Sequence, residues 1–174
     1  MADDYRSALR AATDLTRVGE IVRSAARAVT DADGATFVLR DGDLCFYADE
    51  DAIGPLWKGQ RFPMGECISG WAMLAKQSTC VRDIELDDRI PIAAYRPTFV
   101  RSLIMVPIGR RRPVGAIGAY WSATGAPHPE RQAALERVAN AAAGAISRIG
   151  LDDAPWAPNF RVPGASRRPT ILAD

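Results

Sequence analysis

The segment 87–108, with the sequence DDRIPIAAYRPTFVRSLIMVPI, decides the fold of this chain. It combines prolines, arginines and aromatic residues, and then runs directly into a hydrophobic stretch, 100–108, that is typical of a strand. A segment of this kind is the lid of a catalytic site, the wall of a ligand pocket or a crowded connection. The elements on either side of it indicate which of these applies.

Two hairpins are predicted around this segment. The β-rich runs 35–40 and 43–48 are separated by Asp41-Gly42, a strong signal for a two-residue turn. The apolar runs 100–108 and 114–122 are joined by the sequence GRRRP, which predicts a second hairpin. Shorter strands are predicted at 59–64 and 78–84.

Helices are predicted on both sides of these strands. Apolar spacing over 3–30 predicts two helical pieces, with a joint indicated by Thr13-Asp14 and by Gly19. A further helix is predicted at 68–77, and the clearest begins at Pro129 and stops at Gly150. Hairpin-joined strands with flanking helices indicate an antiparallel sheet in an α+β domain.

Composition excludes several classes of protein. The chain has 174 residues, with 22 basic and 21 acidic side chains and a net charge of +1, so a nucleic-acid binder is not expected. No apolar run approaches the roughly 20 residues that cross a bilayer, and the charged N-terminus is not a secretory signal. Three cysteines without scaffold spacing predict reduced thiols in the cytoplasm, and they form no paired zinc motif with the single histidine, His128.

Four pieces in sequence order carry a resemblance to a known family. They are FPMGECISGWAMLAKQ, VRDIELDDRIP, YRPTFVRSLIMVPI and VGAIGAYW, and together they resemble a GAF domain. The likeness is closest to GAF sensor modules of bacterial two-component signalling proteins that accompany histidine kinases. It predicts an N-terminal helical extension (1–13), a GAF domain (14–150) and a proline-rich tail or linker (151–174), whose last residues, PTILAD, resemble the start of a response-regulator receiver.

The resemblance implies a GAF/PAS-like, six-stranded antiparallel sheet with the terminal helices on one face. It also implies a small-molecule pocket, covered by loops and short helices, on the other face. Residues 87–99 would cover this pocket, and 101–108 would be a central strand beneath it. The predicted ligand-binding residues are Cys67, Trp71, Asp83, Arg89, Tyr95, Arg96, Phe99 and Trp121.

The chemistry of these residues favours a planar or anionic ligand. Tyr95, Arg96 and Phe99 lie within about one helical turn, and aromatic rings beside a guanidinium offer contact area and forked donors. The alternative is that the two rings fill the core while Arg96 points to water. Trp121 closes the pocket or caps the core, and an ion pair between Arg89 and Asp83 would hold the loop to its strand.

Cys67 has two interpretations. GAF modules often carry glycine at this place, and a thiol near a helix N-terminus has its thiolate favoured by the helix dipole. A redox or ligand-attachment role follows from that chemistry. The alternative is a small, half-buried residue that tolerates a turn.

The predicted function is a non-catalytic sensory or regulatory module of bacterial signal transduction that binds a small ligand, and the sequence leaves the identity of any cofactor unknown. One alternative is a GAF-type free methionine sulfoxide reductase, or a redox sensor, that uses Cys67 or Cys80. Such reductases need a cysteine in the loop that corresponds to 85–97, which has none. The Cys-His pair of cyanobacteriochromes is likewise missing near Ile90-Pro91.

Interaction with other proteins is a further prediction. A protein-interaction module without a ligand is the third alternative for function. The alanine-rich C-terminal helix and the apolar stripe of the N-terminal piece predict a homodimer through both terminal helices. A histidine kinase or a receiver domain is the expected signalling partner, with no nucleic acid and no membrane involved.

Overall fold

The computed structural model describes residues 4–150 and begins with two helices, α1 (Asp4–Ala11) and α2 (Leu15–Thr30). Asp14 separates them, because its backbone is extended and its carboxylate accepts the N–H of Arg17 at 2.8 Å as the N-cap of α2. Gly19, which was expected at the joint, lies inside α2. A Cβ at Gly19 would come within 2.8 Å of the Phe37 ring, so this glycine permits close packing of the helix on the sheet.

Six antiparallel strands form one sheet in the part of the chain that the structure describes. Their order across the sheet is β3-β2-β1-β6-β5-β4. They are β1 (Gly34–Asp41), β2 (Leu44–Ala52), β3 (Arg61–Pro63), β4 (Thr79–Val81), β5 (Ser102–Ile108) and β6 (Gly115–Trp121). The predicted α+β class and six-stranded antiparallel sheet are confirmed.

Two details of the sheet differ from the prediction. Asp41 pairs with Leu44, so the first hairpin turns at Gly42 and Asp43 and not at Asp41-Gly42. Gly42 has a φ of 62°, which suits the first central position of a type II′ turn. β5 was expected at the centre, but β1 and β6 occupy the centre and β5 lies beside the edge strand β4, because the two hairpins join through β1 and β6.

The remaining helices are α3 (Ile68–Ala75), α4 (Ile92–Tyr95) and α5 (Pro129–Ile149). Pro129 opens α5 after an extended His128, and α5 ends at Gly150 in the left-handed conformation, as the sequence predicts. α4 has four residues and was not predicted, because one turn is too short for a periodic apolar pattern. None of the helices between residues 4 and 150 is long and apolar enough to span a bilayer.

The three terminal helices cover one face of the sheet. α1 and α2 pack on α5, and the Arg148 guanidinium of α5 donates to the carbonyl oxygens of Leu9 and Ala12 at 2.8 and 2.9 Å. Leu9 and Ala12 are buried, so the end of the predicted N-terminal extension is part of this helical layer. The predicted tail, 151–174, with its receiver-like ending, lies outside the described residues.

The other face is covered by α3, α4 and the connections around them. Alternate strand residues point to the two faces, so that Phe37 and Leu39 pack under the helices while Val38 packs under the connections. Gly70 of α3 lies against the 3-10 turn at Met64–Glu66, which precedes the helix. A Cβ at Gly70 would overlap the carbonyl oxygen of Met64. Only glycine therefore permits the observed approach of α3 to this turn.

We expect opposite effects of alanine at two helical glycines. Gly70→Ala should lower the free energy of unfolding by at least about 2 kcal/mol, because the steric cost of forcing α3 away from Met64 exceeds the gain in helix propensity. Gly144→Ala is the matched control, since nothing lies within 4 Å of a Cβ there, and it should raise that free energy by about 0.5–1 kcal/mol. Urea unfolding measures both, and equal effects would contradict the packing of α3.

Candidate functional site

A cleft of about 240 Å³ opens on the face of the sheet that the connections cover. It lies between the start of α3 and the connection that leads into α4. Its floor and walls combine a thiol, an indole ring, a guanidinium and two exposed carboxylates. The lining residues are Gly65, Glu66, Cys67, Trp71, Asp88, Arg89, Ile90 and Pro91.

Arg89 and Trp71 form one wall of this cleft. The guanidinium carbon of Arg89 is 4.3 Å from the centroid of the Trp71 ring, which is the geometry of a cation–π contact. Nε and Nη2 of Arg89 donate to the two carboxylate oxygens of Asp87 at 2.9 and 2.6 Å. This hydrogen bonding lowers the pKa of Asp87. The Nη1 end of Arg89 has no partner among residues 4–150, so one end of the fork remains available for an acceptor.

The predicted ion pair between Arg89 and Asp83 is not formed. Asp83 is the N-cap of a 3-10 turn, Ile84–Leu86, and its carboxylate accepts the N–H of Glu85 at 3.0 Å. Asp87 instead is two residues from Arg89 and also accepts its backbone N–H at 3.0 Å. This local turn brings the carboxylate of Asp87 to the guanidinium, whereas Asp83 is engaged at the other end of the connection.

Cys67 lies at the base of the cleft, as the N-cap residue of α3. Its Sγ is 3.3 Å from the hydroxyl of Ser69 and 3.5 Å from the carbonyl oxygen of Pro63. Cys45, on β2, is fully buried and packs in the same core cluster as Cys67. All three cysteines of the chain are free thiols in this structure.

The pKa values of the two neighbouring thiols are displaced in opposite directions. The hydrogen bond from Cys45 is the main cause that lowers the pKa of Cys67 from 9.0 to about 7, and the hydroxyl of Ser69 and the N–H groups of Ser69 and Gly70 act in the same sense against the effect of burial. The same hydrogen bond, together with burial, raises the pKa of Cys45. Burial and the carboxylate of Glu136 raise the pKa of Cys80, the third cysteine.

Aromatic side chains fill the space behind the cleft. The Trp57 ring has Tyr47, Tyr95 and Tyr120 around it, with ring centroids at 5.5, 4.7 and 5.5 Å. Its Nε1 donates to the carbonyl oxygen of Ala94 at 3.1 Å. The hydroxyl of Tyr47 hydrogen-bonds to Ser69, and that of Tyr120 to Thr36. The interior of this face is therefore occupied by the protein's own side chains, and the cleft opens at its rim.

Glu50 holds Trp57 in this position. Its carboxylate accepts the backbone N–H groups of Leu56, Trp57 and Lys58 at 3.1, 2.9 and 2.8 Å. Sequence reasoning did not single out Trp57 or its supporting glutamate. The available signal was the pair Leu56-Trp57 after Gly54-Pro55, since large apolar residues in a turn-rich segment have to be buried by the fold.

The predicted ligand-binding residues separate into three groups. Cys67, Trp71 and Arg89 meet in the cleft, and the fully buried Tyr95 lies in the aromatic cluster behind it. Arg96 is exposed beyond α4, Phe99 packs near Gly34 at the margin of the core, and Asp83 caps its turn. Trp121 packs under the helices on the opposite face, with its Nε1 donating to the carbonyl oxygen of Asp31.

Comparison with known families identifies the class. The GAF_2 family, described as GAF domain, matches residues 12–147, and the chain therefore belongs to the GAF domain family. No curated protein matches the chain in sequence. The match covers both faces of the sheet and the whole cleft.

Solved structures show the same fold at low sequence identity. A free methionine-R-sulfoxide reductase from Neisseria meningitidis in complex with its substrate superposes with a TM-score of 0.74 at 19% identity, over 86% of this chain and 87% of that one. The GAF domain of an Acinetobacter phosphoenolpyruvate-protein phosphotransferase gives 0.73 at 12% identity, over 86% and 92%. The chromophore-binding domain of a bacteriophytochrome from R. palustris gives 0.72 at 16% identity, over 86% and 60%. These likenesses show the fold.

We expect a thiolate that forms near neutral pH. Because the pKa of Cys67 is lowered to about 7, the ultraviolet absorbance of the thiolate should rise as the pH increases through about 7. Cys67→Ser should abolish this step, and Cys45→Ala should move it to higher pH by removing the donated hydrogen bond. Cys80→Ser is the control that should leave it in place, and a step that survives in Cys67→Ser would contradict the assignment.

Proposed function

We propose that this chain is a non-catalytic sensory or regulatory GAF module that binds a small, planar, anionic ligand in the cleft beside α3. The observation that carries the proposal is the stacked pair of Trp71 and Arg89, whose guanidinium is fixed by Asp87 on one edge and open on the other. An aromatic surface next to oriented donors suits a flat ligand that bears a carboxylate or an equivalent acceptor.

The size of the site agrees with this ligand class. A cleft of about 240 Å³ is slightly below the 300–1,000 Å³ that pockets for small molecules commonly have, so a compact ligand is expected. Ile90 and Pro91 add an apolar side to the cleft, and they lead directly into α4, which holds Tyr95 against Trp57. Binding in the cleft would therefore act on the connection that covers the aromatic cluster. A bound ligand would in this way affect the packing of α4 against the aromatic cluster.

A signalling role and a position in the cytoplasm are part of the proposal. Three free thiols suit a reducing compartment, and the sequence resembles sensor modules of two-component proteins. A histidine kinase or a receiver domain remains the expected partner, and the resemblance of residues 169–174 to a receiver supports it. Under this proposal the ligand changes the population of two arrangements of the module, and the partner responds to that change.

Native mass spectrometry of freshly purified protein tests whether a small molecule is carried along. Binding of benzoate, a planar carboxylate, is then measured by calorimetry on the reduced protein. We expect Arg89→Gln to weaken binding roughly tenfold or more, because a hydrogen bond to a charged group contributes about 1.5–3 kcal/mol. Trp71→Ala should weaken it as well by removing the stacking surface.

The chain offers a matched control on the opposite face. Arg131 stacks on Trp121 at 5.2 Å, so Arg131→Gln removes a comparable cation–π pair that is remote from the cleft. It should leave benzoate binding unchanged. Failure of the wild-type protein to bind any planar carboxylate, or equal affinities of the Arg89 and Arg131 variants, would overturn the proposed ligand class.

A reductase is the second candidate function, and the lowered pKa of Cys67 in the cleft favours it. The segment 85–97 that covers this face contains no cysteine, which is why we place the non-catalytic function first. Turnover of free methionine sulfoxide with a thioredoxin system, abolished by Cys67→Ser, would replace the sensory proposal with an enzymatic one. Retention of that turnover in Cys67→Ser would assign it to another group.

A homodimer through the terminal helices is the proposed assembly. Gly144 is exposed on α5 with open space around it, so a second helix could approach the backbone closely there. The occupied interior behind the cleft also supports a role in protein interaction, since that face holds its own aromatic residues in place of a large ligand.

Light scattering at micromolar concentration tests this assembly. We expect the mass of two chains for the wild-type protein and a shift to one chain for Gly144→Arg, because an arginine would separate the helices. Gln77→Arg, at an exposed position outside the terminal helices, is the control and should retain the dimer. A single-chain mass for the wild-type protein would rule the dimer out.

A further inference from the structure

The thiols of Cys45 and Cys67 meet at the inner wall of the cleft. The Sγ of Cys67 lies 3.5 Å from the carbonyl oxygen of Pro63, and Pro63 pairs with Leu44, the residue before Cys45 on β2. Cys45 pairs with Phe62 of β3, its side chain packs in the same buried cluster as Cys67, and the hydroxyl of Ser69 lies 3.3 Å from the Sγ of Cys67. The register of the sheet and the start of α3 thus bring Cys45 and Cys67 close together, although they are 22 positions apart in the sequence.

Access to the two thiols is unequal. Cys67 retains 6% of its surface and lines the cleft, whereas Cys45 is fully buried behind it. A molecule that enters from solvent therefore reaches Cys67 first. The cleft, at about 240 Å³, has ample room for a hydroperoxide whose small members are about the size of two waters, at about 30 Å³ each.

The surroundings of Cys67 support its thiolate. It is the N-cap residue of the eight-residue helix α3, and the hydroxyl of Ser69 in the first turn lies 3.3 Å from its Sγ. Because the pKa of Cys67 is lowered and that of the fully buried Cys45 is raised, the two cysteines have different roles. The thiolate of Cys67 is the nucleophile that attacks the oxidant. Cys45 stays protonated and reacts in a later step.

We propose that Cys67 and Cys45 form a dithiol that a small hydroperoxide oxidises to a disulfide. This inference goes beyond the binding of a planar ligand and does not depend on it. Cys80 takes no part, since its thiol donates to Gln132 of α5 at 2.9 Å on the other face of the sheet. The proposal therefore assigns the disulfide to Cys45 and Cys67 and leaves Cys80 as a free thiol.

The reaction has two balanced steps. The Cys67 thiolate attacks one oxygen of hydrogen peroxide, the O–O bond breaks, and the departing hydroxide takes up the proton that the thiol had released, giving water and a sulfenic acid. Cys45 then loses its proton and its sulfur attacks the sulfur of that sulfenic acid, so that the S–O bond breaks and a second water leaves. Two thiols are oxidised, and one peroxide is reduced to two waters.

The disulfide would act on the cleft. It would join β2 to the N-cap residue of α3, which precedes Trp71 by about one helical turn. Ser69 would lose its thiol contacts and keep its hydrogen bond with Tyr47 of the aromatic cluster. Oxidation and ligand binding at this wall would then be linked thermodynamically, each changing the equilibrium constant of the other by the same factor.

The test uses the full chain, reduced and then treated with an equimolar amount of hydrogen peroxide. We expect the intact mass to fall by two hydrogens, peptide mapping to find Cys45 linked to Cys67, and dithiothreitol to reverse the change. Cys80→Ser should behave as the wild-type protein does. Cys45→Ala should instead accumulate a sulfenic acid on Cys67 that dimedone traps, because the resolving thiol is gone.

Three outcomes would overturn the proposal. They are a wild-type chain in which Cys45 and Cys67 stay reduced while Cys80 is oxidised, a Cys67 disulfide to any other cysteine, and equal dimedone trapping in wild type and Cys45→Ala. The mapping of the wild-type disulfide needs no variant, so a Cys45→Ala chain that fails to fold does not remove the test. No ligand is present in this experiment, so its failure is distinct from a failure of benzoate binding by the reduced protein.

Discussion

The antiparallel pairing of β1 with β6 is the constraint on which the rest of the structure depends. It joins the two hairpins at the centre of the sheet, with pairs that run from Gly34 and Tyr120 to Leu39 and Gly115. Because side chains alternate along a strand, this register sends Phe37 and Ile117 to the helical face and Tyr120 to the other. A shift by one residue would exchange the two cores, and both covers would then lose their complementary surfaces.

The two apolar faces of the sheet are buried by different kinds of secondary structure. α1, α2 and α5 present broad apolar stripes, and a continuous helical layer results. The opposite cover is built from short elements and connections, whose backbone groups need separate partners. Glu50 supplies three of these bonds from one carboxylate, and Asp87 fixes Arg89 from another. A cover assembled from such local turns leaves a rim, and the cleft with its thiol lies at that rim.

The reactive and polar side chains of the cleft lie where the connections that cover the sheet meet the start of α3. The aromatic cluster around Trp57 gives the connections a packed surface to lie on, while the start of α3 places the hydroxyl of Ser69 beside Cys67. The side chains that line the cleft therefore pack against a well-ordered core on one side and face solvent on the other. In the GAF family to which the chain belongs, this is also the face that the sequence resemblance assigns to the ligand pocket.

The sequence by itself determined the class and the elements. Period-two alternation, hairpin turns and a capped C-terminal helix are local signals, and they predicted the α+β sheet and α5. Cys67, Trp71 and Arg89 came from the resemblance to GAF domains, and as ligand-binding residues they stay predictions. The separation of Trp121 from that site, the choice of Asp87 over Asp83 and the meeting of Cys45 with Cys67 were decided only by the tertiary structure. The physical reason is that these contacts depend on strand order and on which side of the sheet each residue faces, and a one-residue difference in a strand reverses that side.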